Sequence, residues 1–246
     1  MHATRIIMGM PVTVEIVGGT TEALEKVFSY FTEVDERFST YKPESEISKI
    51  NRGEIKKEEA SKDMQEVFAL SEKTHAESNG YFSITKPDGS IDPSGLVKGW
   101  AIRNAAALVE KMGYHNYFLD VAGDIQSKGV DEKGAQWSIG IRNPFNRDEI
   151  VKVIYPKGKG VATSGTYIRG QHIYNPHEPD QALRDVVSLT VVGPDVYEAD
   201  RFATAAFAMG KSGIVFIEGL SGFEGYSIDT TGIATRTGGF DALTTI

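Results

Sequence analysis

The feature that most constrains the fold is a succession of short strand-like runs in the middle of the chain. They are Tyr117–Leu119, Trp137–Ile141, Val151–Tyr155, Val161–Thr163, His172–Tyr174 and Val187–Val192. Parallel neighbours need a crossover of about a dozen residues or more, whereas these runs follow one another at hairpin-length gaps, so they are expected to pair antiparallel. On either side lie segments of helical period. From Thr21 to Phe38 the apolar residues Leu24, Val27, Phe28, Phe31, Val34 and Phe38 share one face, with Thr20 or Thr21 as N-cap. Further helices are predicted over Ser61–Ser78, Lys98–Met112 and Ala199–Met209, the last two stopped by Gly113 and Gly210. Val12, Val14 and Ile16 alternate with polar residues as a half-buried strand, and Tyr226–Ile228 reads as another. The expected class is α+β, with mixed, largely antiparallel sheets packed against helices, in a single domain over residues 1–246.

Composition narrows the function. A hydrophobic fraction of 40% supports a substantial core. The formal charge of −8 argues against nucleic acid as a partner, because that affinity needs basic surface. The chain has no cysteine, so disulfides, thiolate metal sites and a cysteine nucleophile are excluded. No run approaches the ~18 apolar residues of a transmembrane segment, and the first residues lack a signal-peptide layout. As it stands the chain is expected to remain in the cytoplasm, or to be exported or membrane-anchored if a signal has been trimmed.

Three segments hold the candidate chemistry. In Ile91–Ala101, the small residues Ser94, Gly95 and Gly99 fall where a loop becomes a helix, with Lys98 expected in the first turn. A helix N-terminus with glycine is a natural phosphate seat, lysine adds charge, and Asp92 is an acceptor for a ribose, a ring nitrogen or a metal-bound water. In Tyr197–Gly210, Asp200 and Thr204 are four apart and so share a helix face, a hard-oxygen pair suited to Mg²⁺. In Val161–Pro176, Ser164, Thr166 and His172 form a polar cluster, with His172 a candidate acid or base. His172 and His177 are five apart, a spacing that fits neither a helix face nor a strand face for a shared metal. Ala205–Ser212 satisfies a loose phosphate-loop pattern but lies where a helix ends rather than where one opens.

Taken in order, these segments resemble the ApbE family, the FAD:protein FMN transferases. Met8–Val12, Asp35–Asn51 (DERFSTYKPESEISKIN), Asn79–Thr85, DPSGLVKGWA, VAGDI, ATSGTY, HIYNP and ADRFATAAFAMG each have a counterpart in the family pattern, and together they span nearly the whole chain. Departures fall at Met10, Ser83, Ala122, Gln171 and Asn175. The resemblance implies an ApbE-like, T-fold-related architecture. It also implies an enzyme that splits FAD with Mg²⁺, passes FMN to a threonine hydroxyl of an acceptor protein and releases AMP. By that resemblance Met8, Tyr41, Tyr81, Phe82, Ser83, Asp92, Lys98 and His172 line the FAD site. The metal falls to Asp200, Thr204 and backbone oxygens near Gly95 and Ala203, and His172, Asp92 and Lys98 carry the chemistry, with Asp124 a further candidate base. Two alternatives stay open: an FAD pyrophosphatase yielding FMN and AMP, and a non-catalytic flavin binder. Asp229–Thr235 partly resembles an FMN-accepting sequence, but a strand and turn is the preferred reading there.

Overall fold

A computed structural model describes residues 1–146, 148–165 and 173–245. The chain opens with a hairpin, β1 (His2–Ile7) and β2 (Met10–Ile16), closed by the tight turn Met8-Gly9, where both residues take positive φ. Helices α1 (Thr21–Phe38), α2 (Glu46–Asn51), α3 (Lys62–Glu77) and α4 (Ser94–Lys111) follow. A second hairpin then joins β3 (Tyr117–Val121) to β4 (Asp124–Lys128) through Ala122-Gly123, again with positive φ at both positions, the conformation that matches strand twist in a tight hairpin.

The second half repeats this plan in fewer residues. After a separate hairpin, β5 (Ile139–Arg142) and β6 (Ile150–Ile154), come β7 (Gly160–Gly165) and β8 (Val186–Gly193). The helices α5 (Val196–Ala208) and α6 (Gly213–Glu218) then lead to β9 (Glu224–Asp229) and β10 (Ala234–Arg236). One eight-stranded sheet results, in the order β1-β2-β3-β4-β7-β8-β9-β10, with every pair antiparallel. The halves meet where β4 pairs β7, through Ile125↔Val161 and Gln126↔Gly160.

Helices cover one face of the sheet. Val12 and Val14 pack with Phe28, Phe31 and Trp100 under α1 and α4, and Val191 and Ala162 pack with Phe202 and Phe207 under α5. On the opposite face Ile125, Val161 and Val192 pack against Ile139 and Ile154 of the β5–β6 hairpin and against Phe240. Each large side chain so buried contributes roughly 1.5–3 kcal/mol of apolar transfer.

Helix α1 starts and stops as predicted, and its N-cap is Thr20, whose hydroxyl accepts from Ala23 N. Helix α3 likewise runs close to its expected limits, behind Ser61 as N-cap. Three expectations change. Helix α4 begins at Ser94 rather than Lys98, which places Lys98 in the second turn. Helix α5 begins at Val196 rather than Ala199, behind the capping side chain of Asp195. His172 lies outside the described residues, and Ile173 and Tyr174 are not in a strand.

Candidate active site

The site forms where α4 and α5 lean together across the junction of the two sheet halves. Two glycines one turn apart on α4 allow the approach. A Cβ on Gly99 would lie 2.6 Å from Asp200 Cβ and 2.8 Å from Val196 O, and one on Gly95 would lie 3.1 Å from the Thr204 methyl group. Helix α5 answers with Asp200 and Thr204 on the same face. Asp200 Oδ2 accepts from Gly99 N at 2.7 Å, and Thr204 Oγ1 donates to Gly95 O at 3.1 Å. Asp200 and Thr204 thus line the cleft beside the start of α4.

Charge at this seam is out of balance. Asp200 and Asp124 are both buried, at 5% and 1% exposed, and Lys98 Nζ reaches Asp124 Oδ2 at 2.6 Å. Two carboxylates against one ammonium leave one negative charge over. Burial and the neighbouring Asp124 charge push the Asp200 carboxyl well above the usual carboxylate range, with Lys98 and the Gly99 N–H pulling the other way. Such a site is satisfied by a proton or by a bound cation. Asp124 is held in place from the far half of the sheet, where Thr163 N donates to its Oδ1 at 3.1 Å.

Asp92 is differently placed. Its Oδ1 accepts from Ser94 N at 3.1 Å and its Oδ2 pairs with Lys86 Nζ at 2.7 Å. Burial alone would raise its pKa, but Lys86 and Ser94 outweigh that and hold the carboxyl below the usual range. Both its oxygens are engaged, which suits a positioning role better than proton abstraction.

Around the seam the surface opens into a cleft with two wings. One wing, enclosing about 1030 Å³ partly open to solvent, is lined by Tyr81, Phe82, Ser83, Lys86, Gly95, Thr163, Tyr174 and Thr204 among others. The second, about 1210 Å³, runs along Met8, Phe38, Tyr41 and Val97. Asp92, Ser94 and Lys98 belong to both linings and form the waist. Tyr41 stands 95% exposed at the rim. The structure therefore gathers Met8, Tyr41, Tyr81, Phe82, Ser83, Asp92, Gly95, Lys98, Asp200 and Thr204 along one groove. Ala203 is not in that lining; it packs with Ala162 and Phe202 in the core under α5. His172 and Thr166 lie outside the described residues.

Lys86 and Tyr174 line the cleft without having been singled out from sequence. Lys86 falls in an ordinary turn composition, KPDGS, and no spacing rule marks it. Among the described residues there is no cluster of three His, Asp or Glu side chains able to hold a metal. The oxygens at the seam are instead those of the Asp200 and Asp124 carboxylates, the Thr204 hydroxyl and the Gly95 carbonyl.

Fold and site together define a protein built from two ββ-helix-ββ halves, with a two-winged groove at their junction. The sequence profile described as the ApbE family matches residues 8–88 and 83–226, and the chain belongs to that family. Among curated proteins it is similar to the FAD:protein FMN transferase of Salmonella typhimurium, 31% identical over 149 residues, which covers 56% of this chain and 43% of that one. The FAD:protein FMN transferase of Escherichia coli (strain K12) is 27% identical over 166 residues, covering 64% of this chain and 47% of its own. In both cases the match spans less than half of the relative. Among solved structures, the flavin transferase ApbE from Vibrio cholerae superposes with TM-score 0.86 at 21% identity, covering 99% of this chain and 98% of that one. An ApbE protein from Thermotoga maritima gives 0.85 at 19%, over 100% and 99%. At these identities the structural likeness speaks for the fold.

Proposed function

We propose that the protein is a FAD:protein FMN transferase, moving FMN from FAD to a threonine of an acceptor protein with release of AMP. The carrying observation is the waist of the groove: a lysine and a helix start, flanked by a wing on each side and adjoining the oxygens of Gly95, Asp200 and Thr204. FAD has that layout, with a ring system at either end and a diphosphate between them. The curated relatives of that name, similar over part of their length, support the same reading.

Mg²⁺ fits the seam on its donor chemistry. A threonine hydroxyl and a main-chain carbonyl stand together there, the hard-oxygen chemistry that Mg²⁺ takes, and carboxylate charge lies beside them. Asp200, Thr204 and the Gly95 carbonyl would hold it, and when bound it would neutralise charge on the diphosphate. Lys98, in the second turn of α4, sets a positive charge at the waist, and Asp124 fixes where that ammonium sits. Asp92 orients Lys86 and the start of α4. In the step itself, the threonine Oγ forms a bond to the phosphorus on the riboflavin side. The bond from that phosphorus to the bridging oxygen breaks, and AMP leaves with the oxygen. We assign the threonine proton to His172, the acid or base that the sequence offers there, with Asp92 or Asp124 as the alternative base.

The test is incubation of the protein with FAD, Mg²⁺ and a threonine-bearing acceptor, followed by intact mass measurement. An acceptor heavier by one FMN less a water, the phosphoester adduct, is the expected result. AMP and FMN released at the same rate with or without acceptor, and no mass shift, would establish hydrolysis instead.

A further inference from the structure

We propose that Lys86 is a second phosphate-binding cation of the groove, making the site prefer a diphosphate-bearing ligand over one with a single phosphate or none. This rests on the reading of the groove as a flavin-nucleotide site.

The backbone around Lys86 is fixed on every side. Thr85 and Ile91 bridge as an isolated antiparallel pair. Between them Lys86 N donates to Ser90 O at 2.8 Å, Gly89 N donates to Lys86 O at 2.9 Å, and Asp88 Oδ1 accepts from Ser90 N at 2.9 Å. Asn51 clamps Ile91 with its side-chain amide, at 2.9 Å to the carbonyl and 2.8 Å from the N–H. Tyr174 Oη donates to Thr85 O at 3.0 Å from the other side. A long lysine stem therefore springs from a rigid base, so little ordering is needed at its root when it meets a ligand.

The ammonium has three donors, and Asp92 Oδ2 takes one of them at 2.7 Å. The side chain lines the same wing as Gly95 and Thr204, and its partner Asp92 is a waist residue. Lys98 approaches that waist from α4, so a ligand lying along the groove passes two lysines. A diphosphate carries charge on two phosphoryl groups and so offers one to each lysine, whereas a monophosphate offers a single group.

The experiment is equilibrium binding of FAD, FMN and riboflavin by flavin fluorescence, with Mg²⁺, to the wild type, Lys86→Ala and Lys86→Arg. Lys86→Ala is expected to weaken FAD by about tenfold, the scale of one charge-assisted hydrogen bond, to weaken FMN less and to leave riboflavin unchanged. Lys86→Arg should recover most of the FAD affinity. Equal weakening of all three ligands would mean that Lys86 only supports the wall, and no change in FAD affinity would mean an idle surface pair; either overturns the proposal. A wild type that binds no flavin would instead sink the flavin reading. Binding of inorganic pyrophosphate then decides the role of Lys86: loss in Lys86→Ala upholds it and equal affinity overturns it.

Discussion

The two helices that meet at the groove begin in opposite ways. Helix α5 is closed at its start: Asp195 caps it through Glu198 N at 2.9 Å, and Val196 N donates to the buried Gln126 side chain at 2.9 Å. Helix α4 has Pro93 at the N-cap position, which has no side-chain acceptor, and its first N–H, that of Ser94, is met at 3.1 Å by Asp92 of the waist. One N-terminus is satisfied from within the fold, and the other faces the waist. The division of labour follows, because α4 offers main-chain polarity and a lysine to an anion while α5 contributes side chains from one face of its second and third turns. A buried helix start is normally satisfied internally, so a start without an N-cap side chain of its own, placed at a cleft, keeps more main-chain polarity facing outward.

The contrast can be broken at its strongest point first. Asp200→Asn keeps the shape of α5 but removes its charge, and FMN transfer at saturating FAD should fall by about 10²–10³-fold, read by covalent flavin fluorescence of the acceptor. Near-normal turnover would remove Asp200 from the metal site. Next is the contact between the helices. Gly99→Ala places a methyl group against Asp200 Cβ and Val196 O and should cost about 1–3 kcal/mol, several degrees of melting temperature by calorimetry. Gly95→Ala meets only side-chain atoms, at 3.1 Å and beyond, and should cost less stability.

Mg²⁺ binding should also depend on pH, with a sign fixed by Asp200. Burial and Asp124 hold a proton on its carboxyl to higher pH than on a free aspartate, and with Asp200 as the proposed metal ligand, proton and metal would compete for the same oxygens. Affinity should therefore rise with pH while that proton is being displaced, by at most about tenfold per pH unit in titration calorimetry. A flat profile from pH 6 to 8 would contradict the competition. The smallest effect belongs to the closed helix start. Asp195→Ala should cost about 1 kcal/mol of stability and leave FAD affinity unchanged, because that cap serves the fold alone.

What could be read from sequence divides along similar lines. Helix α1 was legible to the residue because its apolar face and its Thr20 cap agree. The start of α4 was not: proline and glycines at its first turns read as loop, yet those glycines are helical and small because α5 presses on them. Strand β4 was missed because DIQSK looks polar. Gln126 is nevertheless buried, its amide donating to Gly158 O at 2.9 Å and accepting from Val196 N. The edge strands β1 and β10 have too few buried positions to show an alternation. In the groove, Asp200 and Thr204 were findable from their helical spacing, whereas Lys86 reaches the site through a turn whose placement depends on Asn51 and Tyr174, far away in sequence.

The oxygen that Gly95 presents toward Thr204 belongs to the main chain. No amino-acid exchange deletes it, and only a change that shifts the α4 backbone moves it. A residue-by-residue mutational scan would therefore score Gly95 as a position intolerant of bulk, and the oxygen it presents to Thr204 would stay invisible in such data. The same oxygen would stay in place under any exchange at this position, provided that the residue there stays small enough for the two helices to touch.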